Sequence, residues 1–435
     1  MNFCVTPSAV RDAALTVPGD KSISHRALML GSIADGTTNI SGFLAGEDCL
    51  ATLQAFRELG VEIDHQCATR VIVHGVGMHG LNTPGQSLDL GNSGTAMRLM
   101  TGLLCGQRFD STLTGDESLS RRPMARIIDP LTAMGAVIES DCDGTPPLEI
   151  RGGIRLTGID YSMPVASAQV KSCLLLAGLY ADGVMRIKEP AVTRDHTERM
   201  LAAMGVELEY RDDGVTMAGR QSLVATDIEV PADLSSAAFV MLAAILGEQA
   251  EVIVRNVGIN PTRTGVIDIF TSMGASISLE NKRMLGGEPV ADIRVRSSDL
   301  KGCDVDPSIV SLAIDEFPVL FVAAAAASGS TRFRGIGELR VKECDRIAAM
   351  ATGLRALGIR IDEFADGAVV HGGRFTGGVV ESFGDHRIAM ALAVAGSTAA
   401  DEVIVIGVDN VETSFPGFAD RMADLGVVIA VKERA

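Results

Sequence analysis

Two short segments of the chain combine basic side chains with the small and polar residues that begin helices. These residues are Lys21, Ser22 and Arg26 in GDKSISHR, and Asn92, Gly94 and Arg98 in GNSGTAMR. The first turn of a helix presents backbone N–H groups to an anion, and a neighbouring Lys or Arg adds a charge-assisted hydrogen bond. Each segment therefore predicts a binding site for a phosphate or a carboxylate.

The same polar residues could be ordinary helix caps and turn formers. The cations favour the anion site instead, because a positive charge in a first turn opposes the helix dipole and a bound anion reverses that penalty. Such positions are held by Lys21, Arg26, Arg98 and Arg387. Neither segment has the GxxxxGK[ST] spacing of a P-loop, and no GxGxxG follows a strand, so no sequence motif indicates nucleotide binding.

Three further segments carry charged groups that could serve a reaction. They hold Arg121 and Arg122 in SLSRRPM, Arg194 in TRDHTER, and Lys342, Glu343 and Arg346 in GELRVKECDR. The spacing in the last segment predicts a helix that places Lys342 and Arg346 on one face. A solvated face of ion pairs is the plainer interpretation of that pattern.

Two carboxylates, Asp315 and Glu316, interrupt the apolar stretch SLAIDEFPVLFVAAAA. A carboxylate in such a stretch is unfavourable unless it is capped, paired or catalytic. No Ser-His-Asp ordering and no GxSxG elbow appears, so acyl hydrolysis lacks support. The histidines and cysteines show no metal-ligand spacing, and the sequence implies neither a metal nor an organic cofactor.

Composition and charge narrow the class of protein further. A chain of 435 residues with 47% hydrophobic and 21% charged residues predicts a folded protein of two domains. The net charge of −17 argues against a nucleic-acid partner. The apolar runs are too short to span a bilayer, and the first residues lack a signal-peptide pattern. Eight cysteines without a CxxC pair predict reduced thiols and a cytoplasmic protein.

The elements that must position these residues repeat six times along the chain. A polar turn followed by an apolar helix starts at Pro18, Leu90, Met163, Val230, Ile314 and Phe383. Between successive starts, an amphipathic helix ends at a Gly suited to the left-handed conformation, and a β-rich stretch follows. These glycines are Gly60, Gly135, Gly205, Gly274, Gly358 and Gly426. Each repeat thus predicts two helices with strands between them.

Six repeats divide into three and three, which predicts two α/β domains of similar size. The segments TVPGDKS at 16–22 and EVPADLSS at 229–236 look alike, so we expect the chain to cross between the domains at both. The predicted domains are then residues 1–19 with 233–435, and residues 20–232.

In order and over the whole chain, the repeat starts resemble those of 5-enolpyruvylshikimate-3-phosphate synthases. The matching motifs are LGNSGTAMRL, RRPM, ASAQVKS, TRDHTE, IDEFP, LRVKECDR and DHRIAM. Among these, ASAQVKS and RDHTE, together with TSFP, resemble the bacterial subgroup often called class II. The resemblance implies an inverted α/β barrel in each of two domains, built from three βαβαββ units apiece, with the active site in a cleft that closes on substrate.

The resemblance also implies which residues bind substrate. Shikimate 3-phosphate is expected to contact Lys21, Ser22, Arg26, Ser167, Ala168, Gln169, Arg194, Asp315 and Lys342. Phosphoenolpyruvate is expected to contact Lys21, Asn92, Gly94, Arg122, Gln169, Arg346 and Arg387. These small molecules would be the only partners of a monomer, with no nucleic acid and no membrane involved.

The reaction implied by the resemblance is an addition followed by an elimination. The 5-hydroxyl attacks C2 of phosphoenolpyruvate while C3 is protonated, and phosphate then leaves the tetrahedral intermediate. We expect Asp315 to act as the base and Glu343 as the proton donor to C3, with Lys21 assisting. The arginines would balance the charge of two anionic substrates.

Two positions depart from the other subgroup of that family. Leu99 stands where its members have Pro after the arginine of NxGTAMR, and Thr413 stands where they have Lys before TFP. The missing Lys leaves one phosphoenolpyruvate contact unassigned. Tolerant members can carry Ala in place of Gly94, where a methyl group crowds glyphosate, so Gly94 predicts that glyphosate inhibits this enzyme.

Three alternatives remain beside this interpretation. UDP-N-acetylglucosamine enolpyruvyl transferase shares the architecture and phosphoenolpyruvate, but its first motif has Lys-Asn rather than Lys-Ser, and it uses a cysteine in a Gly- and Arg-rich loop that has no counterpart here. A non-catalytic anion-binding or scaffold protein would have lost part of the charged set, which is complete. The RNA 3′-phosphate cyclase family shares a related repeat, but the acidic balance disfavours RNA.

Overall fold

A computed structural model describes residues 1–211 and 213–433 of the chain. Its backbone contacts divide the chain into two compact units. Unit 1 contains Met1–Pro18, Pro231–Met284 and the described residues from Glu288 onward, and unit 2 contains Gly19–Val230 and Leu285–Gly287. The unit boundaries fall after residues 18 and 230, against predicted domain boundaries after 19 and 232. That the predicted ranges are functional domains stays a prediction.

Helices of two kinds alternate along the chain, as the repeats predicted. In chain order they are α1 Lys21–Ile33, α2 Glu47–Glu58, α3 Gly94–Leu104, α4 Ala125–Ala133, α5 Ala168–Gly178, α6 His196–Ala203, α7 Leu234–Leu246, α8 Gly265–Ser272, α9 Phe317–Ala326, α10 Arg346–Ala356, α11 His386–Ser397 and α12 Phe418–Asp424. The odd-numbered helices follow the polar repeat starts and are the more apolar set. The even-numbered helices end at the predicted glycines.

Strands fill the intervals between the helices. Unit 1 begins with β1 Asn2–Thr6 and β2 Ala13–Leu15. Unit 2 contains β3 Ala34–Ser41, β4 Glu62–Cys67, β5 Arg70–Val76, β6 Leu88–Asp89, β7 Ser111–Thr114, β8 Ile138–Asp141, β9 Thr145–Ile150, β10 Asp160–Ser162, β11 Val184–Lys188, β12 Leu208–Arg211, β13 Gly214–Ala218, β14 Leu223–Val224 and β15 Ile228–Glu229. Unit 1 resumes with β16 Glu251–Gly258, β17 Ser276–Leu285, β18 Glu288–Arg296, β19 Ser330–Arg334, β20 Ile361–Phe364, β21 Gly367–His371, β22 Gly378–Glu381, β23 Val403–Ile406 and β24 Val428–Lys432.

The strands form six small sheets, three in each unit. The sheets of unit 2 run β14-β3-β5-β4, with β15 also paired to β3, then β6-β7-β9-β8 and β10-β11-β13-β12. Those of unit 1 run β17-β18-β16-β2, β19-β21-β20 and β22-β23-β1-β24. In the last sheet the N-terminal strand β1 pairs antiparallel with both β23 and β24. The start of the chain therefore completes the sixth repeat, which is why it belongs to unit 1.

The glycines that end the even-numbered helices confirm the predicted helix stops. Their φ angles are 88° at Gly60, 103° at Gly135, 92° at Gly205, 95° at Gly274, 84° at Gly358 and 88° at Gly426. Side chains disfavour this left-handed region, so Gly lets the chain leave each helix and enter the next strand.

Each unit has its own hydrophobic core, centred on the odd-numbered helices. In unit 1 nearly every residue of α7 and α9 is buried, and these helices are rich in alanine. In unit 2 the core gathers around α1, α3 and α5. Burial on all sides fixes the odd-numbered helices in place and with them the polar residues at their first turns. Within the described part of the chain, no helix combines the length and apolarity needed to cross a membrane.

Candidate active site

The polar residues before three helices of unit 2 act as helix caps. The distances from the side-chain oxygen to the backbone nitrogen are 2.9 Å from Asp20 to Ile23, 3.1 Å from Ser93 to Ala96, and 3.3 Å from Ser167 to Val170. The plainer interpretation of these residues is therefore correct as far as it goes. It does not account for the cations in the same segments.

Lys21 is the first residue of α1, and its ammonium group forms an ion pair with Asp48. Asp48 lies in the first turn of α2, where an acidic residue is also favoured by the helix dipole. Only 18% of the Lys21 side chain and 7% of the Asp48 side chain are exposed. The pair holds the Lys21 amine at the start of α1 while leaving it partly accessible to a ligand.

Arg26 lies one turn further along α1 and is buried. Its guanidinium donates to Thr197 Oγ1 at 2.6 Å, to Ser172 Oγ at 2.8 Å and to the Ser22 carbonyl at 2.9 Å. Arg26 therefore joins α1 to α5 and α6. The structure places Arg26 against the Ser22 carbonyl, one helical turn earlier.

A second cluster surrounds the start of α3. Arg122 donates to Asn92 Oδ1 at 2.6 Å, and Arg98 donates to Gln169 Oε1 at 2.9 Å. A Cβ atom added to Gly94 would lie 2.8 Å from Arg98 Nη1 and 3.0 Å from Arg122 Nη1. Gly94 thus lies between two guanidinium groups, and only a residue without a side chain leaves both in place.

Gln169 connects this cluster to α5, because its amide donates to Thr95 Oγ1 at 3.0 Å. Ser167 and Ala168 form the start of the same helix. Arg194 lies two residues before α6, so its backbone is fixed by the entry to that helix. Unit 2 thus gathers cationic side chains around the first turns of α1, α3 and α5, an arrangement suited to binding anions.

In unit 1, three carboxylates converge on Arg346. Its Nε donates to Asp385 Oδ2 at 2.7 Å and its Nη2 to Glu343 Oε2 at 2.6 Å. Its Nη1 lies 3.5 Å from Asp315 Oδ1. Burial opposes the charge of Arg346, but Asp385, Glu343 and Asp315 outweigh burial and raise its pKa. The structure therefore places Asp315 and Glu343, the two residues predicted to transfer protons, next to the same guanidinium group, that of Arg346.

The predicted helix through Lys342 and Arg346 is wrong. A 3-10 turn ends at Val341, and α10 begins only at Arg346 because Asp345 caps it, accepting from Ala348 N at 3.0 Å. Lys342 lies in the connection, and its Nζ is 3.8 Å from Asp315 Oδ1. The two cations still meet the same carboxylate, although not through a helix face.

Arg387 lies next to the other carboxylates of unit 1. It donates to the Asp315 carbonyl at 3.0 Å, and its Nη1 lies 3.8 Å from Glu316 Oε1. Glu316 is almost fully buried and accepts a hydrogen bond from Ser235. The two carboxylates that interrupt the apolar stretch therefore differ: Glu316 is a buried structural partner, whereas Asp315 is 19% exposed beside two cations.

Several residues at the site were missed in the sequence. Asp48 and Asp385 supply the partners of Lys21 and Arg346, and His25 lies buried between Thr52 Oγ1 at 2.8 Å and Ser93 Oγ at 3.3 Å. Burial, followed by the charges of Lys21 and Arg26, holds the pKa of His25 well below its usual range. The only signal for the two acids was their place at helix starts.

The charged residues gathered in unit 2 and those gathered in unit 1 differ in chemistry. The unit 2 set is rich in cations and backbone donors, which suits phosphate and carboxylate binding. The unit 1 set combines cations with carboxylates that can exchange a proton with a substrate. Among residues 1–211 and 213–433, no group of three His, Cys, Asp or Glu side chains is arranged to hold a metal ion.

Sequence comparisons find one family over most of the chain. Residues 5–422 match the family described as EPSP synthase (3-phosphoshikimate 1-carboxyvinyltransferase). A 3-phosphoshikimate 1-carboxyvinyltransferase from Alkalilimnicola ehrlichii is 57% identical over 430 residues, which cover 99% of this chain and 96% of that protein. A protein of the same name from Nitrosococcus oceani is 55% identical over 429 residues, covering 99% and 97%.

Solved structures agree with the sequence relatives. EPSP synthase from Acinetobacter baumannii superposes with a TM-score of 0.89 at 50% identity, covering 99% of this chain and 100% of that chain. The enolpyruvyl transferase NikO from Streptomyces tendae superposes with a TM-score of 0.80 at 15% identity, covering 99% and 98%, and so shares the fold. The predicted α/β fold of two domains is confirmed.

Proposed function

Because the chain belongs to the EPSP synthase family, we propose that it transfers the enolpyruvyl group of phosphoenolpyruvate to the 5-hydroxyl of shikimate 3-phosphate. A C–O bond forms between that hydroxyl and C2 of phosphoenolpyruvate, and the C–O bond to phosphate breaks. The products are 5-enolpyruvylshikimate 3-phosphate and inorganic phosphate. The observation that carries this proposal is the full-length match to relatives named for this reaction.

The cations of unit 2 support the proposed binding of two anionic substrates. For shikimate 3-phosphate the residues are Lys21, Ser22, Arg26, Ser167, Ala168, Gln169 and Arg194, with Asp315 and Lys342 from unit 1. For phosphoenolpyruvate they are Lys21, Asn92, Gly94, Arg122 and Gln169, with Arg346 and Arg387 from unit 1.

In the addition step, Asp315 accepts the proton of the attacking 5-hydroxyl, and Glu343 delivers a proton to C3 with Lys21 assisting. Arg346 orients both carboxylates, because it lies 3.5 Å from Asp315 Oδ1 and 2.6 Å from Glu343 Oε2. In the elimination step, a proton leaves C3 and phosphate departs from C2. The cations offset the negative charge that accumulates on the phosphate.

We also propose that the chain belongs to the subgroup called class II. The motifs ASAQVKS and RDHTE support that assignment, as does Thr413 in place of a Lys. We further propose that the protein acts as a monomer in the cytoplasm, on small molecules and not on nucleic acid or membranes. The net charge of −17 supports the exclusion of nucleic acid.

Phosphate release from phosphoenolpyruvate tests the proposal. The purified protein is assayed with shikimate 3-phosphate and, separately, with UDP-N-acetylglucosamine as acceptor. We expect release only with shikimate 3-phosphate, and its loss in Lys21→Ala. Release with the sugar nucleotide would instead support the alternative enolpyruvyl transferase, and release with neither acceptor would contradict both.

A matched pair of neighbouring arginines sharpens the same assay. Arg122 donates to Asn92, and its Nη1 would lie 3.0 Å from a Cβ atom added at Gly94. Arg121, by contrast, is 74% exposed and pairs with Glu117 on the surface. We expect Arg122→Ala to raise the KM for phosphoenolpyruvate and Arg121→Ala to leave it unchanged. Equal effects from both variants would remove Arg122 from the proposed site.

A further inference from the structure

Unit 2 contains a buried charge cluster that the proposed reaction does not use. Lys171 Nζ lies 2.9 Å from Glu189 Oε1 and 2.8 Å from Glu198 Oε1. The side chains of Lys171 and Glu198 are each only 2% exposed, and that of Glu189 is 12% exposed. One cation is therefore shared by two carboxylates in the interior of the unit.

Burying three charged groups in a core carries a large desolvation penalty. Burial by itself would lower the pKa of Lys171, but Glu198 and Glu189 outweigh burial and raise it. Burial raises the pKa of Glu198 against the effect of Lys171. Within the described chain, Glu198 Oε2 has no hydrogen-bond partner. Because buried ion pairs often contribute no net stability compared with apolar residues of similar size, the geometry that this one imposes points to another role.

The cluster is covalently adjacent to the hydroxyls that hold Arg26. Ser172 follows Lys171, and Thr197 precedes Glu198. Arg26 donates to both hydroxyls, Thr197 donates to Ser172 Oγ at 2.7 Å, and Ser172 donates to the Ala168 carbonyl at 2.7 Å. Each hydroxyl in this network therefore donates its proton to a single acceptor. The Lys171–Glu198 ion pair fixes the spacing of α5 and α6, which carry these hydroxyls.

The same lysine also fixes the segment that leads to Arg194. Lys171 Nζ donates to the Thr193 carbonyl at 3.4 Å, and Thr193 Oγ1 donates to Glu189 Oε2 at 2.6 Å. Arg194 is the next residue. The position of its backbone is therefore set by contacts to the same ammonium group.

We infer that Lys171 and Glu198 are positioning residues that set Arg26 and Arg194 for contact with the anionic acceptor. The inference rests on the proposed function, since that function identifies the acceptor. Neither residue touches substrate. Their effect is exerted through Ser172, Thr197 and the Thr193 carbonyl, so it should appear in the binding of the acceptor and not in phosphoenolpyruvate binding.

Lys171→Met removes the cation while keeping most of the side-chain volume. We expect this variant to raise the KM and the calorimetric Kd for shikimate 3-phosphate by about tenfold or more, since small displacements of positioning groups have effects of that size. The KM for phosphoenolpyruvate should stay within about twofold.

Two further variants separate positioning from damage to the fold. Glu198→Gln keeps the shape and a hydrogen bond to Lys171 but removes the charge, so a smaller shift of the same kind is expected. Lys188→Met removes a lysine that is 49% exposed and pairs with Asp160 on the surface, and it should leave both KM values unchanged. If Lys171→Met fails to fold, Glu198→Gln carries the test.

The outcomes distinguish this inference from the proposed function. If the wild-type protein releases no phosphate with shikimate 3-phosphate, the proposed function fails. If the wild type is active but both cluster variants keep its KM and Kd for shikimate 3-phosphate, the positioning role is overturned. A parallel loss of affinity for shikimate 3-phosphate and for phosphoenolpyruvate would also overturn it, because that pattern indicates general damage.

Discussion

Arg346 and Asp385 form a buried ion pair in which Nε lies 2.7 Å from Oδ2, and neither side chain is more than 2% exposed. Asp385 also caps α11, because its other oxygen accepts from Arg387 N at 2.8 Å. One carboxylate therefore orients the guanidinium proposed to bind phosphoenolpyruvate and fixes the helix that carries a second such arginine. Helix capping and charge positioning are here the work of a single side chain.

Asp385→Asn tests this double role. Asn can still cap the helix, but it leaves the charge of Arg346 less compensated, and breaking a buried pair in this way costs about 3 kcal/mol of unfolding free energy. We expect that loss in urea denaturation, together with a higher KM for phosphoenolpyruvate. Asp306→Asn, at an exposed cap that accepts from Ser308 N, should leave both unchanged. An unchanged denaturation midpoint in Asp385→Asn would contradict the prediction.

Gly94→Ala should separate phosphoenolpyruvate from glyphosate. The new methyl group would lie 2.8 Å from Arg98 Nη1 and 3.0 Å from Arg122 Nη1, so one guanidinium must move. We predict that glyphosate inhibits the wild type with an inhibition constant not far above the KM for phosphoenolpyruvate. The variant should raise the inhibition constant by a larger factor than that KM.

Steady-state inhibition kinetics with both variants check this prediction. Gly85→Ala is the control, since nothing lies within 4 Å of its added Cβ atom. A wild-type inhibition constant far above the KM for phosphoenolpyruvate would contradict the sensitivity inferred from Gly94. Equal factors for inhibitor and substrate in Gly94→Ala would contradict the selective crowding.

The helix-stop glycines provide a test of the repeat architecture. Gly60 and Gly205 have φ angles of 88° and 92°, but an added Cβ meets Asn82 Nδ2 at 2.1 Å at the first and nothing within 4 Å at the second. Gly205→Ala should therefore lose stability only through backbone strain, by about 1 kcal/mol of unfolding free energy. Gly60→Ala should lose clearly more, because Asn82 must also move. Urea denaturation of both variants measures the difference, and equal losses would show that Asn82 yields freely.

The sequence predicted the fold well because the repeat signals are local. A glycine after an amphipathic helix, such as Gly205, marks a helix stop through the conformation of one residue. The sixth sheet was harder, since β1 enters it from the other end of the chain. Nothing in NFCVT indicates that its neighbours are β23 and β24.

The site could be predicted only in part. The cations were visible because they occur at helix starts, but their partners depend on tertiary packing. Asp48 resembles an ordinary first-turn acid until α2 is placed beside Lys21. The error at Lys342 has a local cause: four-residue charge spacing suggested a helix, while the cap Asp345 already marked its true start.

His25 predicts an acid-sensitive component of stability. Its imidazole is buried, and burial together with Lys21 and Arg26 holds its pKa well below the ordinary value of 6.5, with Asp20 opposing them weakly. In the unfolded chain the imidazole takes up a proton below about pH 6.5, while in the folded protein it stays neutral. Its contribution to stability is therefore fully present above pH 6.5 and is lost as the pH falls toward the folded pKa.

His25→Asn isolates that component. Asn can still donate to Thr52 but cannot titrate, so the difference in unfolding free energy between wild type and variant should shrink by about 1.4 kcal/mol between pH 7.5 and 5.5. Urea denaturation of both proteins at the two pH values measures it, with His74→Asn, which removes an exposed imidazole, as the control. A difference that is constant with pH would mean that His25 takes up a proton in the folded protein as readily as in the unfolded chain, which contradicts the lowered pKa.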